Sequence, residues 1–427
     1  MKLKSLLLTT LLVAAPCAIN AQDAKKADLK EVTAHLDMDG EFFMANKIEG
    51  DLGKLAALGS DYVATARANG KTCIPEGLDF TAIMQDMGLD DLVAYGRSAK
   101  HHGDHWVSKM YLQNGGSKKG IFSMMGENDV YEVIHFAPSG SDMVAEWNID
   151  TKQLMSSIQN VPRCEKMEKF MGRHLPLGGT VEDMIKKFTA KVSLAVKLDD
   201  EIREVCPYHE EYTFPRLHGC VRMEGANQIW DQVGNLAGFV MKVEKQEDGT
   251  LLLTPHKQKK GMNAVMLMDQ KNDTLWAATS PEFLTECRGE GAKLVNDESF
   301  KLISDGVKSG NGLVYISQQA CLEIRQVKEA KIAKKDKKKL SSEMMKKVMD
   351  HLTESKNGYF IETHQSDKGV NVVLKAPCPL KEMMCGKRCG KKKGCFSCGK
   401  GCDKDKGQCG CADKKVNCEC ESDCKCS

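Results

Sequence analysis

The last fifty residues constrain this chain more than any other stretch. Twelve of its 19 cysteines lie between Cys378 and Ser427, set among lysine, glycine, aspartate and glutamate. Apolar residues there are few and include Leu380, Met383, Met384, Phe396 and Val416. Burying them does not offset the entropy of ordering fifty residues. Disulfides or metal must order such a segment, or it has no fixed structure.

The spacings are CxxxC at Cys385 and Cys389, CxxC at Cys395 and Cys398, and CxxxC from Cys398 to Cys402. Three CxC pairs follow: Cys409 with Cys411, Cys418 with Cys420, and Cys424 with Cys426. No histidine follows His364, and there is no second CxxC, which excludes Cys/His fingers and paired-knuckle zinc ribbons. Cysteines two apart can present both sulfurs to one ion, whereas a disulfide between them closes a strained ring. Thiolates favour soft ions, so the expected cofactor is Zn or Cu. Charge agrees with that expectation. From Cys378 onward there are twelve Lys/Arg and seven Asp/Glu, a net of +5 that becomes −7 with every thiol ionised. Four divalent ions would return it to about +1. Lys387, Arg388, Lys400 and Lys425 stand beside cysteines, where they lower thiol pKa. With its CxC pairs, interleaved lysines and few aromatics, segment 385–427 resembles metallothioneins. The resemblance implies a thiolate cluster. The alternative is a disulfide-crosslinked appendage.

The other end of the chain reads as an export signal. Lys2 and Lys4 precede an apolar stretch, Leu6 to Ala15, and small residues lead to a cleavage position after Ala21. Pro16 before Cys17 makes a poor lipobox. The expectation is an exported protein, periplasmic or extracellular, with no transmembrane segment. A formal charge of +2 gives no case for nucleic acid. The expected partners are metal ions and, on the alternative reading, an envelope protein.

The expected organisation is a signal peptide over 1–21, a linker over 22–30, α+β halves over 31–200 and 201–376, and the cysteine-rich tail over 377–427. Alternation predicts strands over 31–38, 92–98, 105–113, 121–125, 131–137, 143–149 and 191–198. Further strands are expected over 217–223, 238–244, 250–256, 263–269, 274–278, 312–317, 359–363 and 370–375. Helices are expected from about Phe42, then over 50–67, 79–88, 151–159, 164–172, 180–190 and 226–236. Others are expected from Pro281 and over 297–307, 319–331 and a lysine-rich 328–356. A strand, a polar break and an amphipathic helix recur, as in VAEWNIDTKQLMSSI and VYISQQACLEIRQV. This predicts an α+β fold: two similar halves of mainly antiparallel sheet packed with helices, plus a tail without regular structure.

Gly115-Gly116, Ala137-Pro138, the block Thr274 to Phe283 and the strand Gly312 to Ile316 resemble a class of secreted bacterial proteins that share a domain of unknown function. That resemblance implies structural positions and no catalytic residue. The body has two further clusters. Cys206, His209, His218 and Cys220 are placed to bind zinc or, as expected in an exported chain, to leave a Cys206–Cys220 disulfide beside solvated histidines. His101, His102, Asp104 and His105 crowd one hairpin tip and read as an exposed polar turn, with a metal site as the alternative. Walker, GxGxxG, HExxH and GxSxG motifs are absent, and no enzyme is expected.

Overall fold

A computed structural model describes residues 27–48, 80–103, 105–116, 120–150, 165–174, 179–183, 189–205, 213–227, 241–256, 263–333 and 358–376, with isolated residues in 57–65 and 230–238. The chain divides into two compact units, Met1–Lys387 and Arg388–Ser427, and every described residue belongs to the first.

One antiparallel sheet of 13 strands dominates that unit. In chain order its strands are β1 (Phe42–Lys47), β2 (Leu92–His102), β3 (His105–Asn114), β5 (Met143–Asp150), β6 (Thr189–Val205) and β7 (Thr213–Glu224). They continue as β8 (Met241–Lys245), β9 (Leu251–Pro255), β10 (Val265–Asp269), β11 (Thr274–Ala278), β13 (Gly312–Ile316), β14 (Tyr359–Ser366) and β15 (Gly369–Ala376). Strands β4 (Asp129–Val130) and β12 (Ser309–Gly310) pair separately. The sheet runs β1-β2-β3-β15-β14-β13-β5-β6-β7-β11-β10-β9-β8. From β2 to β10 this order is symmetric about the central β13–β5 pair. Hairpin β2–β3 lies against β15, and β10–β11 lies against β7.

The expected α+β arrangement of two halves packed with helices is therefore corrected. Sequence from both halves is interleaved in one continuous sheet, and residues 200 and 201 both lie inside β6. The described helices are mostly short: α1 (Leu29–Ala34), α2 (Phe80–Asp86), α3 (Ile121–Met124), α4 (Val133–Phe136), α5 (Glu165–Met171), α6 (Pro281–Arg288), α7 (Glu298–Ser304) and α8 (Gln318–Ala333). Apart from α8, with 16 residues, none exceeds eight. None is long and apolar enough to cross a membrane.

Local departures have physical causes. The expected strand over 31–38 holds helix α1, because the Asp28 carboxylate accepts from the Lys30 and Glu31 amides as an N-cap. Val32 in the helix and Leu36, two residues past its end, are buried, while Ala34 and Met38 are exposed. The buried pair presses on β2 at Gly96, where a Cβ would stand 2.5 Å from side-chain atoms of Val32 and Leu36. The segment from Phe42, expected as helix, is an edge strand paired to β2. The expected strands over 121–125 and 131–137 hold the single turns α3 and α4. The expected helices over 50–67, 151–159, 226–236 and 328–356 lie wholly or largely outside the described residues; of the described part of 180–190, residues 181–183 are helical, while Thr189 and Ala190 begin β6.

The main core lies between the sheet centre and α4, α6 and α7. It joins Val144, Ala195, Cys220, Leu267, Leu313, Tyr315 and Phe360 to Ile134, Phe283, Leu284, Cys287, Phe300 and Ile303. Each large side chain buried there contributes about 1.5–3 kcal/mol. Cys321 of α8 joins a separate cluster with Tyr359, Leu374 and Ala376.

Candidate functional site

The tail ligands expected from sequence (Cys385, Cys389, Cys395, Cys398, Cys402, Cys409, Cys411, Cys418, Cys420, Cys424 and Cys426) all lie outside the described residues. So does the signal segment. Among the described residues, no group of three or more His, Cys, Asp and Glu side chains is arranged to hold a metal ion.

At the hairpin tip, β2 ends at His102 and β3 begins at His105, with Gly103 at φ +65 in the turn. The three histidines are not equivalent. His105 is buried, whereas His101 and His102 are exposed. The His102 and His105 ring centroids are 5.8 Å apart, and His101 stands edge-on to Trp106 at 5.1 Å. Asp104 lies outside the described residues.

Strand β7 divides the second cluster. His218 is half-buried, with Nε2 3.4 Å from an Asp199 carboxylate oxygen and its ring against Phe283. Cys220, two residues on, is a free thiol wholly buried in the main core. Cys287 of α6 lies in the same core. Interaction with the Cys287 thiol, together with burial, pushes the Cys220 thiol well above its ordinary pKa. The expected bridge from Cys220 to Cys206 is not what the strand presents, and Cys206 and His209 lie outside the described residues. Cys321 is a third buried thiol, pushed up to about 12 by burial.

The sequence reading missed a buried ionic network. Glu146 on β5 is 2% exposed, and its carboxylate accepts from the Glu132 amide at 3.1 Å, the Val133 amide at 2.7 Å and Ser193 Oγ at 2.7 Å. Lys191 Nζ stands 3.4 Å away and also donates to Asp129 at 2.9 Å and to the Val130 carbonyl. Burial pushes the Glu146 carboxyl up, against the Ser193 hydrogen bond and the Lys191 charge. Burial pulls Lys191 down, but Asp129 and Glu146 outweigh it and hold the ammonium above its ordinary pKa. The register that pairs Glu146 with Ser193 and Asn148 with Lys191 sets this up. A second hub, Asp142, accepts from Ser317 Oγ at 2.6 Å and the Leu198 amide at 2.8 Å, while Ser317 Oγ accepts from the Ala320 amide at the start of α8. Glu146 caps the short helix α4, Asp142 holds the Ser317 hydroxyl that accepts from α8, and each ties a helix to the sheet, so their chemistry is structural. The only sequence signal would have been polar residues at inward strand positions.

No family model, no curated protein and no solved structure matches this chain.

Proposed function

We propose that this is an exported protein whose cysteine-rich tail sequesters soft metal ions, zinc or copper(I), as a thiolate cluster. The observation that carries the reading is the set of three CxC pairs closing the chain, with lysines between them. Paired sulfurs suit one ion, neighbouring cations favour the thiolate, and bound divalent ions offset the resulting negative charge. The buried body thiols support the assignment of ligand chemistry to the tail. Cys220, Cys287 and Cys321 are at most 2% exposed, so they offer no ready ligand while the body is folded. The body serves as the folded carrier for the tail.

The test is metal analysis with thiol counting on full chain purified anaerobically, beside a chain ending at Ala376. Metal that follows the tail supports the reading. Equal metal in both, or tail cysteines found entirely in disulfides, would reject it in favour of a cross-linked, partner-binding envelope protein.

A further inference from the structure

We propose that Cys220 and Cys287 are a disulfide-forming pair, joined covalently when the chain folds under oxidising conditions. The inference does not depend on the metal reading of the tail. Its basis is the way α6 folds back over β7. Cys220 is in register with Ala278 at the end of β11, and α6 begins at Pro281 with Ser280 as its cap. The corner is clamped on both sides. The Thr279 amide donates to the Gly219 carbonyl at 2.9 Å, and the Gly219 amide donates to Thr279 Oγ1 at 3.0 Å. Phe283, Leu284 and Cys287 form the inward face of α6, which places the last of them on Cys220. Both thiols are buried in one cluster on elements that pack together, and Cys287 is the side chain that perturbs the Cys220 thiol, so the two are neighbours across the seam between α6 and β7. Cys321 belongs to a different cluster and takes no part.

The oxidant required is an exchangeable disulfide, such as glutathione disulfide or that of a thiol–disulfide oxidoreductase. One cysteine thiolate attacks an oxidant sulfur, forming a mixed disulfide and releasing the oxidant's other sulfur as a thiolate. The second cysteine thiolate then attacks the first cysteine's sulfur, closing the Cys220–Cys287 bond and releasing the oxidant's remaining thiolate. Two protein thiols lose two protons and two electrons, and the oxidant's disulfide becomes two thiols. With the two cysteines 0% and 1% exposed, the folded body shuts the oxidant out, so exchange precedes the packing of α6. The same burial then shields the bond from reductants. Its loop spans most of the segment from β7 to α6 and restricts the unfolded chain.

The test is disulfide mapping of the full chain refolded in a glutathione redox buffer. Free thiols are alkylated in acidic denaturant before tryptic digestion. The expected product joins Leu217–Arg222 to Asn272–Arg288 as the dominant linkage of Cys220, and it disappears when the sample is reduced first. The linked chain should also melt several degrees above the reduced one. Linkage of Leu217–Arg222 to Glu204–Arg216, through Cys206, would overturn the proposal, as would recovery of both peptides alkylated from the oxidised sample. A Cys287→Ala variant that still yields one dominant bridge to Cys220 would also overturn it. Because the wild-type map decides the question, a variant that fails to fold does not remove the test.

Discussion

Cys220 of β7 and Cys287 of α6 are buried in a core built from Phe283, Leu313 and Phe360, whereas the twelve cysteines after position 377 stand among twelve Lys/Arg and few apolar residues. The first pair gains its environment from long-range packing, and the others take theirs from their neighbours in sequence. Burial raises a thiol's pKa and denies it partners, while adjacent cations lower it and leave it available to a metal. On the proposed reading, one residue type takes two roles, core in one region and ligand in the other, according to what surrounds it.

The largest expected effect is on reactivity. In the reduced, folded chain, tail cysteines should alkylate at least ~1,000-fold faster than Cys220, Cys287 and Cys321, because the buried thiols need an opening that costs several kcal/mol. Timed maleimide labelling with peptide mapping measures this. Similar rates for the two groups would break the comparison.

The next effect is on stability. Lys191→Met leaves the buried Glu146 carboxylate without its cation and should destabilise the body by roughly 3–5 kcal/mol in denaturant unfolding. A loss below about 1 kcal/mol would show that water already screens the pair. The network also carries a pH signature. The Lys191 ammonium is favoured in the fold, so its contribution is complete below the ordinary lysine value of 10.5. It drains away as pH rises through the higher folded value. The wild-type advantage over Lys191→Met should therefore stay level from neutral pH to about 9 and shrink above 10.5. An advantage that grows with alkalinity would contradict the assignment.

The smallest effect is expected from the tail. A chain ending at Ala376 should unfold within about 0.5 kcal/mol of the full chain, since the tail contributes little apolar surface. A larger loss would mean that the two regions share a core.

Much of the strand content was legible because alternation is local. β2, β3, β5, β7, β11 and β13 can be read from their apolar period. The expectation failed where the deciding contact was distant. Residues 131–137 alternate like a strand, yet Glu146 binds the Glu132 and Val133 amides and starts a turn of helix there. Residues 31–38 satisfy a period of two, and in Val32 and Leu36 also a helical spacing, and the Asp28 cap decides between them. The single sheet was not legible at all, because pairing β15 with β3 joins residues more than 250 positions apart. For the same reason Cys220 suggested a bridge to nearby Cys206, whereas packing buries it in one core with Cys287. The proposed tail cluster is the converse case: the reading rests on spacing alone, and its cysteines lie outside the described residues.

The central claim, that ligand thiols reside in the tail and core thiols in the body, is tested most directly by anaerobic zinc titration of the reduced full chain. Bound metal and released protons are counted together, and cysteines protected from alkylation are mapped afterwards. The tail thiolates should take roughly three to four Zn(II), with protons released as the thiols ionise. The protected positions should be the eleven cysteines from Cys385 to Cys426, while Cys220, Cys287 and Cys321 are unaffected by zinc. Fewer than one tightly bound ion per chain, or zinc protection confined to cysteines of the body, would contradict the account.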